Sequence, residues 1–297
     1  MQSPGRLKPA PENFLGPKQI AEVQAGRRGF LRSAFYAAAA TAVTPAVAQV
    51  GGDPAILNLP EHSKGLGQPV AVRGYGLPSV HEKNLQRRES PGLTRVGGSS
   101  VSFAPLQGLF GIITPNGLHF ERHHQGWWDI DPHQHRLMVM GMVREPKVYT
   151  LDDLMRLPAT SRMHFIECGA NTGMEWGNVA VPTVQYTHGM LSCCEYTGVK
   201  LSTLLDDCGF DRKGGKYVLA EGADGSGLTR TIAMERALDD VMVAWAMNGE
   251  MLRPENGYPL RLVAPGLQGV SWVKWLRRLE VGDQPRRRRM KRSITST

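Results

Sequence analysis

The chain has 297 residues, of which 41% are hydrophobic, which is enough for one large domain or two small domains with a proper core. Its formal charge of +8 comes from the two ends: residues 1–48 contribute +4, residues 286–297 contribute +6, and the body carries −2. A nucleic-acid-binding domain would concentrate basic residues on the folded body, so this distribution argues against nucleic acid as a partner.

Residues 1–48 have the features of an export signal. Arg27 and Arg28 form a twin-arginine pair, an alanine-rich run follows, and the small residues of Ala46–Ala48 predict cleavage near residue 48. The apolar run is too short to span a bilayer, so we expect no membrane span. The sequence therefore predicts a periplasmic protein that is exported folded by the twin-arginine route.

The first predicted elements follow an extended N-terminal segment, residues 49–100, which is rich in Gly, Pro and Ser. Beyond it, alternating residues predict two strands within 135–150. Thr150 and Asp153 predict a capping box at the start of a helix over 150–158. A strand is predicted over 162–168.

The second half of the sequence predicts one helix and four strands. The helix covers 201–209, with a cap near Ser202 and Gly209 as its terminator. A hairpin turn is predicted at 247–251. The strands are 216–221, 240–247, 258–266 and 272–281. Short helices among more numerous strands favour an α+β domain.

Cys168 stands at the end of a predicted strand and precedes a loop of small residues, Gly169–Gly173. Such a thiol can be a nucleophile, a metal ligand or a residue without a chemical role. As a base for a nucleophile, His164 would lie about 13 Å away along the strand, whereas distant histidines such as His188 remain candidates. A soft thiolate also suits a sulfur-loving metal, and a small loop would leave room for a bulky cofactor. The residues near Cys168 do not decide among these three readings.

The other cysteines form no CxxC pair and no spacing typical of structural zinc. They are interpreted as small buried apolar groups: Cys193, Cys194 and Cys208.

Two further segments carry residues suited to binding an anion. Arg122, His123 and His124 are consecutive, and Arg261 and Lys274 flank a Gly-rich turn. Two cations and bare backbone amides around a turn can bind phosphate. Either cation alone would equally fit a solvated strand face, so neither signal is specific by itself.

These segments together resemble the sulfite oxidase family of molybdopterin enzymes, and most closely its Sox-type sulfane dehydrogenase branch. The resemblance runs from about residue 100 to residue 283. It is carried by GIITPNGLHFERHH, DPHQHRLMVMGMV, FIECGANTGMEW, THGM, YTGVKLSTLLDDCGF, AWAMNGEMLRPENGYPLRLVAPG and VKWLRRLEVGD.

The resemblance implies an α+β molybdopterin-binding oxidoreductase domain over 101–283, with mixed sheets and short helices. It implies one molybdenum–molybdopterin, with Cys168 as the metal ligand and Arg122 facing the substrate. It implies that these residues bind the cofactor: Phe120, Glu121, Arg122, His123, His124, Asp224, Asn256, Arg261, Trp272, Val273 and Lys274. The implied reaction is oxygen-atom transfer to sulfite or to sulfane sulfur on a carrier protein, with a c-type cytochrome as electron acceptor.

The sequence departs from the family pattern near the site. Thr172 and Gly173 stand where sulfite oxidases have arginines, so the pocket is expected to be less cationic and to suit a protein-bound sulfur substrate. Asn256 stands where sulfite oxidases have histidine. The Sox branch also has asparagine at this position. Further differences around the Gly-rich turn fall at Leu267, Val270 and Trp272.

The end of the chain is the largest departure. Family members continue after EVGD into an immunoglobulin-like domain that forms the dimer, and a segment with an active-site tyrosine precedes that domain. Here a basic tail, residues 284–297, follows instead and is expected to be disordered. We therefore expect the dimerisation domain to be absent, which removes the usual basis for a dimer and leaves the activity of this chain open.

Three alternatives stay open. A methionine sulfoxide reductase of the same family would use the same ligands in reverse. An inactive remnant would bind the cofactor without turnover. A histidine-rich metal-binding protein would use His119, His123, His124, His133 and His135.

Overall fold

The computed structural model describes residues 75–90, 98–179, 181, 183–224 and 227–285. The predicted export signal, much of the segment 49–100 and residues 286–297 of the predicted tail lie outside these residues. The described elements all belong to a compact unit that begins at Leu77.

The described residues form thirteen strands and five short α-helices, with several 3₁₀ turns between them. The strands are β1 (Arg88–Glu89), β2 (Ser100–Phe103), β3 (Glu121–His123), β4 (Leu137–Gly141), β5 (Lys147–Tyr149), β6 (Ala159–Glu167), β7 (Leu191–Lys200), β8 (Tyr217–Gly222), β9 (Thr229–Ala233), β10 (Met242–Met247), β11 (Glu250–Met251), β12 (Arg261–Val263) and β13 (Leu276–Gly282). The helices are α1 (Leu151–Met155), α2 (Gly173–Trp176), α3 (Val184–His188), α4 (Leu201–Asp207) and α5 (Met234–Asp239).

Three sheets organise these strands. The first is antiparallel in the order β1-β2-β3. The second has the order β11-β10-β7-β6, and β12 also pairs with β10. The third has the order β5-β4-β13-β8-β9, in which β13 runs parallel to β4 and antiparallel to β8. The predicted α+β class with mixed sheets and short helices is confirmed.

Local sequence signals explain several of these elements. The predicted capping box is present at α1, because Thr150 Oγ1 accepts a hydrogen bond from the Asp153 amide at 3.1 Å and Asp153 Oδ2 accepts one from the Thr150 amide at 2.9 Å. The predicted hairpin joins β10 to β11 through Asn248 and Gly249, both with positive φ, as a tight two-residue turn requires.

Other boundaries differ from the predictions. The helix predicted over 201–209 has no side-chain cap at Ser202, because β7 runs directly into α4 and the Leu201 amide donates to Val241 O at 2.9 Å. The strand predicted over 272–281 begins only at Leu276, because Trp275 has a left-handed backbone (φ 51°) that interrupts an extended chain. The strand predicted over 258–266 is limited to β12.

The core packs the second sheet against α4. Val199 of β7, Leu204 of α4 and Val243 of β10 are fully buried in one continuous apolar cluster. Gly198 allows β7 and β10 to approach closely, since a Cβ there would lie 2.1 Å from Val243 O. This close pairing fixes β7, which in turn positions β6, the strand that precedes Cys168.

All four cysteines are free thiols. Cys194 and Cys208 are fully buried, as predicted, whereas Cys193 is only half-buried on β7. In the described ranges, no helix combines the length and the apolar character that a membrane crossing requires.

Candidate active site

A cavity of about 350 Å³ lies where β3, the end of β6 and the segment between β12 and β13 come together. Ten of the twelve residues that the sequence nominated for a site line this cavity: Phe120, Glu121, Arg122, His124, Cys168, Asp224, Asn256, Arg261, Trp272 and Lys274. His123 and Val273 are not among its lining residues and are buried. Residues that are scattered over more than half of the chain therefore meet at one place.

Backbone hydrogen bonds fix Cys168 in the cavity wall. Its amide donates to Met190 O at 3.0 Å, and its carbonyl accepts from the Asn171 amide at 2.9 Å. The Asn171 side chain donates to Glu167 Oε1 at 3.0 Å and accepts from the Met190 amide at 3.1 Å. The turn after β6 is thus held at both ends, and the half-buried thiol lines the cavity.

The small residues after Cys168 have different local reasons. A Cβ on Gly169 would lie 2.8 Å from Gln268 Oε1, and a Cβ on Gly269 would lie 3.0 Å from Glu167 O. Glycine at these two positions lets the segment before β13 pack against the end of β6. Gly173, by contrast, has open space around its missing side chain.

Arg122 extends from β3 into the same cavity. Its Nη1 donates to Ser100 O at 3.2 Å and also to the carbonyl of His123. Burial lowers the pKa of Arg122, and the negative charge of an ionised Cys168 opposes that shift. Arg122 and Cys168 therefore line the same cavity.

Arg261 is a buried cation without a carboxylate partner. It is 3% exposed, its guanidinium lies 5.8 Å from the Tyr196 ring and 5.9 Å from the Trp272 ring, and Nη2 reaches Trp272 O at 3.5 Å. No salt bridge to it is found among the described residues, and its Nε has no hydrogen-bond partner there. An unpaired buried charge is unfavourable, so a bound anion would stabilise this arrangement.

Lys274 adds a second cation on the same wall. Its Nζ donates to Glu255 O at 3.0 Å, to His123 Nδ1 at 3.1 Å and to Arg122 O at 3.4 Å. The ammonium group also lies 4.6 Å from the centre of the Trp275 ring. The contacts described for Lys274 are therefore to neutral acceptors and a ring.

The charges around Lys274 work in both directions. Burial and then Arg261 lower the pKa of Lys274 to about 7, while Asp224 and Glu255 oppose that shift. An anion in the cavity would raise the pKa again, because it would favour the charged ammonium. Lys274 and Arg261 together therefore form a site that is completed by a negative group.

Three residues on the cavity wall keep a buried polar atom without a hydrogen-bond partner: His119 Nε2, Asn256 Oδ1 and Arg261 Nε. His119 donates from Nδ1 to Phe120 O at 2.6 Å, so its Nε2 is an acceptor. Burial, and then Arg261, lower the pKa of His119 to about 3, which keeps the ring neutral. Two acceptors and one charged donor fit a ligand that carries both N–H groups and a phosphate, as a molybdopterin does.

Sequence reasoning missed several lining residues. Glu255 and Trp275 are adjacent to the nominated Asn256 and Lys274, and this adjacency was the available signal for both. Ile166 and Leu228 also line the cavity, but nothing distinguishes them in the sequence from ordinary core residues.

The local alternatives for Cys168 find little support. Neither His164 nor His188 lines the cavity, and His188 instead lies 3.7 Å from Glu175. Over the described ranges, no three His, Cys, Asp or Glu side chains are grouped to hold a metal ion. The five histidines of the metal-binding alternative are all described, and they form no such group.

Comparison with known proteins agrees with the geometry. The sequence matches the family described as oxidoreductase molybdopterin binding domain over residues 124–290. It is 34% identical over 206 residues to nitrate reductase [NADPH] of Phytophthora infestans, covering 65% of this chain and 23% of that protein. It is 33% identical over 184 residues to mitochondrial sulfite oxidase of Mus musculus, covering 59% of this chain and 34% of that protein.

A solved structure matches over a longer stretch. The crystal structure of the sulfane dehydrogenase SoxCD from Paracoccus pantotrophus has a TM-score of 0.75 and 45% identity, and the match covers 79% of this chain and 60% of that chain. The chain spans only about a quarter to a third of the length of the two curated relatives named above. The match to the family covers more than half of the chain, and it confirms the expected molybdenum–molybdopterin cofactor. The chain belongs to the molybdopterin-binding oxidoreductases of the sulfite oxidase family, and it is similar to their Sox-type members.

Proposed function

We propose that this protein oxidises reduced sulfur, as sulfane sulfur on a carrier protein or as sulfite, by oxygen-atom transfer. The observation that carries the proposal is the meeting of the Cys168 thiol with Arg122, Arg261 and Lys274 at one cavity. In the net reaction, water provides the oxygen atom that the sulfur gains, and two protons and two electrons are released. A c-type cytochrome is the electron acceptor in this proposal.

The residues divide into two groups by role. Cys168 would hold the molybdenum through its thiolate. Arg261, Lys274, Asn256 and His119 would hold the pterin and its phosphate, because they combine positive charge with unpaired polar atoms. When bound, the cofactor supplies the metal that transfers oxygen to sulfur and takes up two electrons.

Arg122 would bind the substrate. It lines the cavity beside Cys168, and the Ser100 carbonyl at 3.2 Å fixes its guanidinium. A fixed guanidinium can bind the oxygens of a sulfur oxyanion in two places at once and can stabilise negative charge that develops on them. Its role is thus to orient the sulfur atom and not to transfer protons, since arginine stays charged.

The rim next to Cys168 supports a protein-bound substrate over free sulfite. Thr172 and Gly173 begin the exposed helix α2, and the Trp176 side chain is 85% exposed and bonds to Thr172 Oγ1 at 3.2 Å. This rim carries Glu175 near His188 and no arginine. A rim without arginines gives a free dianion little attraction, whereas an exposed aromatic surface suits contact with another protein.

The cellular setting is also part of the proposal. The twin-arginine pair and the small-residue cleavage pattern in residues 1–48 support export to the periplasm, although these residues lie outside the described ranges. A periplasmic location is consistent with an exported c-type cytochrome as the electron acceptor.

Substrate assays on the purified, cofactor-loaded protein test the proposal. Sulfite and a carrier peptide with a cysteine persulfide should each reduce an added cytochrome c, with the peptide preferred. Nitrate and methionine sulfoxide, offered with a reduced viologen, should not be turned over. Faster turnover of either of these two would replace the proposal with a reductase, and loaded protein that turns over nothing would identify an inactive form.

A paired substitution checks the role of Arg122 in the same assay. Arg122→Gln should raise KM for sulfite by about 10-fold or more, because a charged hydrogen-bonding contact is lost. Arg136→Gln removes an exposed arginine and is the matched control, with an unchanged KM. Equal KM values for Arg122→Gln and the wild type would remove Arg122 from the substrate site.

A further inference from the structure

A chain of polar contacts runs behind the cavity and ends at Lys274. Arg87 pairs with Glu121, Glu121 Oε2 lies 3.0 Å from His123 Nε2, and Lys274 Nζ lies 3.1 Å from His123 Nδ1. The His123 side chain is 2% exposed, so water does not compete for these contacts. His123 does not line the cavity and contacts Lys274 from behind.

Glu121 favours one tautomer of His123, in which the two ring nitrogens take different roles. An ionised carboxylate only accepts hydrogen bonds, so His123 Nε2 must carry the proton that faces Glu121. His123 Nδ1 then carries a lone pair, which can accept a hydrogen bond from the Lys274 ammonium. Arg87 pairs with the other oxygen of that carboxylate, Oε1, which leaves Oε2 to accept from His123.

We propose that Arg87, Glu121 and His123 are positioning residues that hold the Lys274 ammonium group at the cofactor cavity. The inference rests on the proposed function, since it takes the cavity to be the molybdopterin site. It gives His123 a different role from direct contact with the cofactor, and it brings in Arg87, a residue of the predicted extended segment 49–100.

The support from His123 matters because burial and two neighbouring arginines act against the positive charge of Lys274. Arg261 and Arg122 both act against its positive charge, whereas Asp224 and Glu255 favour it. A protonated His123 would remove the acceptor at Nδ1 and add another positive neighbour. Burial and then Lys274 lower the pKa of His123 to about 3, so the ring stays neutral in the working range of pH.

A second cavity gives experimental access to the outer end of this chain. It has a volume of about 310 Å³, and both Arg87 and Glu121 line it. Glu121 also lines the first cavity, so this residue borders both. A small cation such as guanidinium fits a space of this size beside Glu121.

The first readout is the rate at which the purified, loaded protein releases pterin, followed by pterin fluorescence. Arg87→Ala and Glu121→Gln should each speed release by about 10-fold, as is typical when a residue that orients a ligand is removed. Lys274→Ala sets the upper limit of the effect. Arg88→Ala removes the exposed neighbouring arginine and should leave release at the wild-type rate.

Chemical rescue separates positioning from loss of structure. Millimolar guanidinium chloride, far below denaturing concentrations, should slow release from Arg87→Ala toward the wild-type rate and leave Arg88→Ala unchanged. A misfolded variant would not respond. Fast release from Arg87→Ala that guanidinium does not slow would overturn the role given to Arg87.

The second readout is the tautomer of His123, observed by ¹⁵N NMR and assigned with His123→Gln. Wild-type protein should show a neutral ring protonated at Nε2 between pH 5 and pH 9, and Glu121→Gln should give a mixture of tautomers. A ring protonated at Nδ1, or wild-type release rates in both Arg87→Ala and Glu121→Gln, would overturn the inference. Loaded protein that fails to oxidise sulfur would overturn the proposed function but not this inference.

Discussion

The two sides of the active-site cavity are built differently. The ligand loop, residues 168–173, has its backbone tied to Met190 and its side chains half-exposed or exposed. The anchoring arm, residues 261–275, contains the buried cation Arg261 with an unpartnered Nε. The hydrogen bonds of the ligand loop are therefore satisfied within the protein, whereas the anchoring arm keeps a buried cation with an unsatisfied donor.

The difference indicates how affinity and chemistry are divided. Most of the binding free energy of the cofactor should come from the anchoring arm, because unpaired buried groups gain most when a partner arrives. The ligand loop should contribute one bond, from the sulfur of Cys168, and thus the reactivity of the metal. Substitutions on the two sides should therefore have distinguishable effects.

The largest expected effect is that of Cys168→Ser. Turnover should fall by at least about 100-fold and the absorbance of the metal centre should change, because a hydroxyl is a harder and poorer ligand than a thiolate. The pterin should stay bound, since the anchoring arm is intact. Turnover and pterin fluorescence measured on one preparation check both outcomes.

Cys193→Ser is the matched control for that substitution. Cys193 is a half-buried thiol on β7 that does not line this cavity. Wild-type turnover and spectrum are expected. Loss of pterin together with the metal signal in Cys168→Ser, and in no control, would show that the loop also anchors the cofactor and would break the comparison.

Arg261→Met should act with opposite signs on the empty and the loaded protein. Without cofactor, the variant should be more stable by about 1–3 kcal/mol, because an unpaired buried charge is replaced by an apolar chain of similar length. With cofactor, pterin should be released about 100-fold faster, because the charged partner of the anion is lost. Chemical denaturation of the cofactor-free protein and release kinetics of the loaded protein measure the two effects.

A destabilised cofactor-free Arg261→Met protein would contradict this account. It would mean that Arg261 already has sufficient partners in the empty cavity. Arg277→Met is a suitable control, since Arg277 pairs with Glu221 at 2.8 Å at a more exposed position and does not line the cavity.

Lys274 predicts a pH dependence for the cofactor-free protein. Its pKa is about 7 in the folded chain, below the ordinary value of 10.5. Between these two values the unfolded chain binds a proton that the folded chain has released, so the free energy of unfolding should rise with pH over that window. Below pH 7 Lys274 is protonated in both the folded and the unfolded chain. Its contribution to the free energy of unfolding then no longer changes with pH and is at its least favourable value.

Denaturant titrations at pH 6.5, 7.5 and 8.5 on wild-type and Lys274→Met proteins measure that slope by difference. The wild type should gain stability across the series relative to Lys274→Met. Parallel pH curves for the two proteins would show that Lys274 keeps its ordinary pKa in the empty cavity.

The smallest expected effects come from a pair of glycines, one for each side of the cavity. A Cβ on Gly222 would lie 2.8 Å from Lys274 O, so Gly222→Ala should displace the anchoring arm and lower stability by about 1 kcal/mol or more. Gly173 has nothing within 4 Å, so Gly173→Ala should change stability by no more than about 0.5 kcal/mol. Thermal melts of the two variants check this. Equal losses of stability in the two variants would contradict the structural difference between the two sides of the cavity.

The sequence predicted those parts of the fold that local signals determine. The capping box at Thr150 and the turn at Asn248 depend only on neighbouring residues, and both were predicted. Strand β7 was missed, although Ser192, Cys194 and Tyr196 alternate as buried residues along it.

Non-local contacts set the limit for the site. The residues around Cys168 left three chemical readings open, and only the family motifs selected the metal ligand. Strand β13 begins only at Leu276 because Trp275 has a left-handed backbone, and no residue pattern predicts that conformation at a tryptophan. Arg87 was missed because its partner Glu121 lies 34 positions further along the chain, beyond the reach of local spacing rules.

Strand β6 has a consequence for handling the protein. Within the described residues it pairs only with β7, so the backbone of Ala159–Glu167 offers a row of free donors and acceptors along its outer side. Met163 and Phe165 are 57% and 64% exposed on the same strand. Concentrated solutions of this chain should therefore self-associate through that margin, and a lysine in place of Met163 would discourage stacking of one molecule on the next without entering the cavity.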